Sequence, residues 1–213
     1  MGRAGRDDTA PGILLNNDAR VSGTLTGSEL DALDLYRFVL PRRADVQVNL
    51  ATARNFELVL LGSGGRRIAR GTDIDVRLSS GTYYVAVRAL NGANGSYRLK
   101  VLARTITSAR TRVNGDTRVT VLLGRTVQFT VAVTPSVPGP TTMLVERFDP
   151  IDGWLFHARF HPSVVNGRAT VSFRPPTVGR WRVTGTYDGT RQASPSFGGT
   201  AHVIVAEPPG SGL

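Results

Sequence analysis

The chain has 213 residues, 24 of them glycine and 12 proline, no cysteine, and a formal net charge of +10. Without cysteine there are no disulfides, thiolate nucleophiles or thiolate metal sites. No apolar stretch approaches the roughly 20 residues that span a bilayer, so no transmembrane helix is expected. The N-terminal Met1-Gly-Arg-Ala-Gly-Arg-Asp-Asp8 has charges but no apolar segment, unlike a signal peptide.

The basic residues are nearly all arginine, with Lys100 the one lysine. They are scattered along the sequence, which suits an ordinary solvated surface with a compositional preference for arginine. The competing reading is a partner that carries phosphate, sulfate or carboxylate groups.

Residues 1–18 read as a leader, flexible at first, with only Ile13-Leu14-Leu15 apolar. Strand signals begin at Val21–Leu25. Asp31-Ala-Leu-Asp-Leu-Tyr-Arg-Phe-Val-Leu40 starts as a polar loop and becomes a strand whose Tyr36, Phe38 and Leu40 share one face, because side chains alternate along a strand. The same period of two recurs in Val46, Val48 and Leu50, in Phe56, Leu58 and Leu60, and in Ile74, Val76 and Leu78. Tyr83–Val87 and Tyr97–Val101 follow turns at Ser80-Gly-Thr82 and Asn91–Gly95. Turn signals about ten residues apart indicate a β-sandwich.

Polar residues interrupt the strands near Ala103–Val113, which places a domain boundary there. The second half then gives Arg118–Leu122, Thr126–Val133, Met143–Phe148, Trp154–Phe160, Ala169–Phe173, Trp181–Tyr187 and, after a polar loop over Asp188–Thr200, Ala201–Val205. The expected organisation is a leader over 1–18, one sandwich over 19–104, another over 105–207 and a tail over 208–213. The fold class is all-β, with two tandem β-sandwich domains. The first core should contain Tyr36, Phe38, Val48, Phe56, Leu58, Val85 and Leu99. The second should contain Phe129, Val131, Phe173, Trp181, Val183 and Tyr187.

Five pieces in order carry a resemblance over residues 16–104: Gly23-Thr-Leu-Thr-Gly27, Asp31-x-x-Asp34-x-Tyr36-x-Phe38, Phe56-x-Leu58-x-Leu60, Ser80–Val87 and Gly95-Ser-Tyr-Arg-Leu-Lys-Val101. Together they resemble the bacterial pre-peptidase C-terminal domain, the fold of the collagen-binding modules of collagenases. The resemblance implies a jelly-roll-like sandwich, non-catalytic and attached to a secreted enzyme. The second half, through Thr126–Pro135, Gly167–Phe173, Gly179–Gly189 and Ala201–Val205, looks like a bacterial immunoglobulin-like domain. Such domains act as spacers or adhesive modules on exported proteins.

Calcium is the best-motivated ligand, since it takes six to eight hard oxygens. In some collagen-binding relatives, acidic residues of the loop matched by Asp31 and Asp34 join ligands from the N-terminal linker. Here Asp18 and Asn17, with Asn16, would supply that side. The bland reading is that Asp34 caps a turn and Asp31 is solvated. The positions that carry outward tyrosines for collagen in that family hold Arg88 and Leu90, which argues against collagen.

Gly62-Ser-Gly-Gly65 reads as a hairpin turn. A phosphate loop would need a helix start after the glycines. His157 and His161 lie four apart on a strand, about 13 Å at roughly 3.3 Å per residue, too far to share a metal directly. The expected function is therefore a non-catalytic accessory pair from an exported bacterial protein, extracellular or at the cell surface, with a catalytic domain upstream. Its partner would be an extracellular polymer or a cell-surface protein, and nucleic acid is not expected. The alternative is an adhesion or anionic-polymer-binding protein that uses its arginines.

Overall fold

The computed structural model describes residues 12–26 and 31–209. They contain no helix and are 69% strand, in several sheets consistent with β-sandwich domains. The chain divides into two units between Thr105 and Ile106.

In the first unit the strands are β1 (Ile13–Leu14), β2 (Asp18–Leu25), β3 (Leu33–Leu40), β4 (Ala44–Thr52), β5 (Phe56–Gly62), β6 (Arg67–Gly71), β7 (Asp73–Leu78), β8 (Gly81–Ala89) and β9 (Gly95–Thr105). They form a five-stranded sheet, β1-β3-β8-β5-β6, and a four-stranded sheet, β2-β9-β4-β7. The alternating positions pack into one cluster that includes Tyr36, Phe38, Val48, Phe56, Leu58, Val85 and Leu99. Phe38 and Tyr83 occupy paired positions and stack with ring centroids 5.6 Å apart. Val76 is only half-buried, unlike Ile74 and Leu78 on the same strand.

The second unit comprises β10 (Ser108–Val113), β11 (Arg118–Leu122), β12 (Val127–Thr134), β13 (Gly139–Asp149), β14 (Gly153–Phe160), β15 (Ser163–Val164), β16 (Arg168–Phe173), β17 (Gly179–Tyr187) and β18 (Ser196–Ala206). One sheet runs β10-β12-β16. The other runs β11-β18-β17-β13-β14, with β15 paired to β13. Their inner faces share a separate cluster containing Phe129, Val131, Phe173, Trp181, Val183 and Tyr187. Asn166 and Gly167 both have positive φ, at 50° and 78°, and turn the chain from Val165 to Arg168 in two residues, as an Asn-Gly hairpin does.

Three stretches differ from the sequence reading. Residues 12–18 are part of the first unit and not a leader. Ile13-Leu14 pairs in parallel with Tyr36-Arg37, Leu15 joins the core, and the Asn17 carbonyl accepts the Ala103 N–H at 2.7 Å. Two residues are too few to show periodicity, and a parallel pairing leaves no hairpin signal. Residues 1–11 of the expected leader, 27–30 and 210–213 of the tail lie outside the described residues.

Next, the supposed boundary contains a strand, β10, whose inward set Ala109, Thr111 and Val113 is buried. A threonine at the central position hid the alternation. Finally, β18 begins at Ser196, inside the expected polar loop. Gly185 and Gly198 face Thr111 there. A methyl group on Gly198 would come within 2.7 Å of the Thr111 hydroxyl, so this approach of β10 tolerates only glycine.

The two clusters make a direct prediction. Phe38 and Phe129 are each 0% exposed, so Phe38→Ala or Phe129→Ala should lower stability by about 3–5 kcal/mol. Denaturant unfolding of each variant measures it. A loss below about 1 kcal/mol at either position would mean the side chain is not packed as described.

Candidate functional site

The residues that carry the first-domain resemblance meet in the core. Tyr97 on β9 lies opposite Gly23 on β2. A Cβ at Gly23 would overlap the Tyr97 phenol, so the missing side chain opens the path along which that ring crosses. The phenol donates to an Asp34 carboxylate oxygen and lies 2.6 Å from the Tyr36 hydroxyl. Asp34 is only 4% exposed. Burial, then the bonds to Asp34 and Tyr36, push the Tyr97 phenol far above the usual tyrosine range.

Asp34 is therefore set in a buried network, the environment in which a satisfied polar group rigidifies a fold and an unsatisfied one is costly. Asp31 is half-buried and accepts the Thr26 N–H on its carboxylate at 3.1 Å. Asp18 pairs with Leu102 on β9, and Asn17 sits in the preceding turn. Among the described residues no three His, Asp or Glu side chains come close enough together to hold a metal ion. Arg88 is paired with Glu57 at 2.5 Å.

The arginines, scattered in sequence, are gathered by strand register on the outer face of the four-stranded sheet. Arg98 on β9 has Ser22 on one side and Ala51 on the other. In the next row Lys100 lies between Arg20 and Asn49. Small residues flanking Arg98 leave an open groove of about 740 Å³ that reaches Arg54. An adjoining hollow of about 380 Å³ shares Ser22, Ala51 and Arg98 and reaches Arg20 and Lys100. At the far end Gly95 lets the Arg54 stem lie against the backbone, since a Cβ there would come within 2.7 Å of Arg54 Cγ.

None of Arg20, Arg54, Arg98 and Lys100 has a carboxylate within ion-pair distance among the described residues. The acids on the same sheet face have other partners: Asp45 pairs with Arg77 at 2.9 Å, Asp73 accepts from the Asn49 amide at 2.8 Å, and Asp75 accepts from the Gln47 amide at 3.3 Å. The groove thus gathers four basic side chains, with Ser22 and Thr52 beside them and Asn49, held by the Asp73 carboxylate, at its edge. Sequence spacing could have exposed part of this. Arg98 and Lys100 are two apart on one strand and share a face, but their pairing with Arg20 depends on β2 lying beside β9.

The chain is thus an all-β protein of two units consistent with β-sandwich domains, with a group of basic side chains on one face of the first. No family model and no curated protein matches the sequence. Among solved structures, the chain is similar to the pre-peptidase C-terminal domain of a collagenase from Bacillus anthracis, at 21% identity over 44% of this chain and 99% of that one, with a TM-score of 0.37. It is also similar to PliG of Aeromonas hydrophila, a periplasmic inhibitor of g-type lysozyme, at 16% identity over 43% and 95%, TM-score 0.36. A β-glucuronidase of Bacteroides uniformis matches 81% of this chain at 8% identity and TM-score 0.28, and the match spans 26% of that enzyme. No functional residue is carried over from any of them.

The buried trio sets a pH dependence. The folded-state pKa of Tyr97 is raised, so the protonated phenol is favoured by folding. Its contribution is fully present below the unfolded value of about 10 and declines as pH rises beyond it. Tyr97→Phe should remove that part of the alkaline decline and, by leaving Asp34 short of a donor, lower neutral-pH stability by about 1–3 kcal/mol. Urea unfolding at neutral and alkaline pH measures both. An unchanged stability at pH 7 would contradict the network.

Proposed function

We propose that this chain is a non-catalytic accessory pair in which the first domain binds an anionic extracellular polysaccharide and the second serves as its companion module. The groove along Arg20, Arg98, Lys100 and Arg54 supports this reading best. Its basic residues come from three segments and border two adjoining hollows, so a chain of repeating anionic groups suits it better than a single small ligand would. Hydroxyl and amide side chains along its walls suit sugar hydroxyls. Among the described residues its one aromatic lining side chain, Tyr97, is buried, whereas single-strand nucleic-acid grooves offer open aromatic faces for stacking bases. Attachment to a secreted enzyme, as the family resemblance implies, would give such a module the task of holding that enzyme on its substrate.

Affinity for a heparin-like or polyuronate chain should fall steeply with salt, because binding releases condensed counterions. Arg98→Gln with Lys100→Gln should weaken binding at low salt and lower the log–log salt slope by roughly 1–2. Arg42→Gln with Arg43→Gln, two exposed arginines in the turn before β4, is the control and should change little. Equal losses in the two double variants would reduce the charge to a general surface property.

Calcium at this domain would draw on Asp31, Asp34, Asp18 and Asn17, with Asp34 also accepting from Tyr97. A melting temperature that rises in millimolar calcium and no longer does so in Asp31→Ala would establish such a site. Identical melting in calcium and in chelator would remove the ion.

A further inference from the structure

The outer face of the larger sheet in the second domain holds a second, smaller basic site of different construction. On this face Arg118 of β11 lies opposite His202 of β18, and His202 opposite Arg182 of β17. One step along, Arg180 lies opposite Ile204. Arg118 and the two β17 arginines therefore flank the His202 strand at a backbone separation of about 10 Å, two interstrand spacings. Between them is a pocket of about 220 Å³ lined by Arg118, Arg180, His202, Trp154 and Ile204, with the buried Trp181 beneath.

The arginines here are preorganised. The Arg180 guanidinium lies 4.6 Å from the Phe148 ring centre, and that of Arg182 lies 4.4 Å from the Trp154 ring centre. A guanidinium stacked on an aromatic face keeps its in-plane N–H edge free to donate in a fork. Glu146 takes that edge of Arg182, with bonds of 2.6 and 3.0 Å. Arg180 and Arg118 have no carboxylate partner among the described residues. Two guanidiniums thus border one pocket with their donors unused.

We propose that this pocket is an oxyanion site, sized for a single sulfate or carboxylate group, in which Arg180 and Arg118 bind the oxygens with His202 beside them. The group is either a free ion or a pendant group on a larger chain. The charged groups facing His202 are Arg118 from β11 and Arg180 and Arg182 from β17, with Glu146 of β13 engaged by Arg182. Desolvation first, then these three arginines, hold the imidazole below its usual range. An anion between them opposes that effect, so occupancy is readable at His202 itself.

The test is an NMR titration of the His202 ring signals in the whole chain, with sodium sulfate replacing chloride at constant ionic strength. A sulfated disaccharide is the second probe. Saturable shifts and a rise of about one unit in the His202 pKa are expected. A response to both probes identifies a site for the free ion, and a response to the disaccharide alone identifies one for a pendant group. Arg118→Gln with Arg180→Gln should abolish the response, and Arg180→Lys, which keeps the charge but loses the fork, should weaken it at least severalfold. The groove variant R98Q/K100Q should leave it intact, which separates this site from the first domain's. No saturable shift with either probe, or an equal pKa rise in the R118Q/R180Q variant, would overturn the proposal.

Discussion

Most strands here have one face committed to a core, and that constraint organises the surface as well as the interior. Side chains alternate along a strand, so a slip of one residue would turn Phe38 or Phe129 to solvent. Burial of the inward set fixes the register. Once register is fixed, the outward residues of neighbouring strands stand in rows. Ser22, Arg98 and Ala51 form one such row, and Arg20, Lys100 and Asn49 the next. In the second domain Arg118, His202, Arg182 and Glu146 form a row across four strands. The basic surface is thus a consequence of core packing.

Inside the first domain the same register brings four separated residues together. Gly23 makes room, Tyr97 crosses it and donates to Asp34, and the Tyr36 hydroxyl is hydrogen-bonded to the same phenol. A buried carboxylate without a partner is strongly unfavourable, so Asp34 and Tyr97 depend on each other. The residues that mark the family resemblance in sequence therefore include those that hold the two sheets to one another.

The cores were legible because Phe, Val, Leu and Tyr repeat at a period of two over strands long enough to show it. β10 was not, since Thr111 occupies a buried position that reads as polar, although Asn114-Gly115 just after it carries a hairpin signal. β1 is too short for any pattern. The start of β18 is glycine-rich because Gly198 must approach Thr111, and glycine reads as loop. The candidate site was less legible still. Asp34 invites a metal reading when its carboxylate is seen without Tyr97, which is 63 residues away. The arginines look scattered because their neighbours come from three strands that are not consecutive in sequence.

Register gathers Arg20, Arg98 and Lys100 on one face of the first domain, and the proposed binding of an anionic chain there is open to measurement. Chemical-shift mapping of the backbone amides with a sulfated oligosaccharide tests it most directly. Perturbations are expected to concentrate along residues 20–22, 49–54 and 95–100, the three segments that border the groove. Perturbations spread over exposed arginines outside it, such as Arg42, Arg43 and Arg66, with no maximum at Arg98, would contradict it.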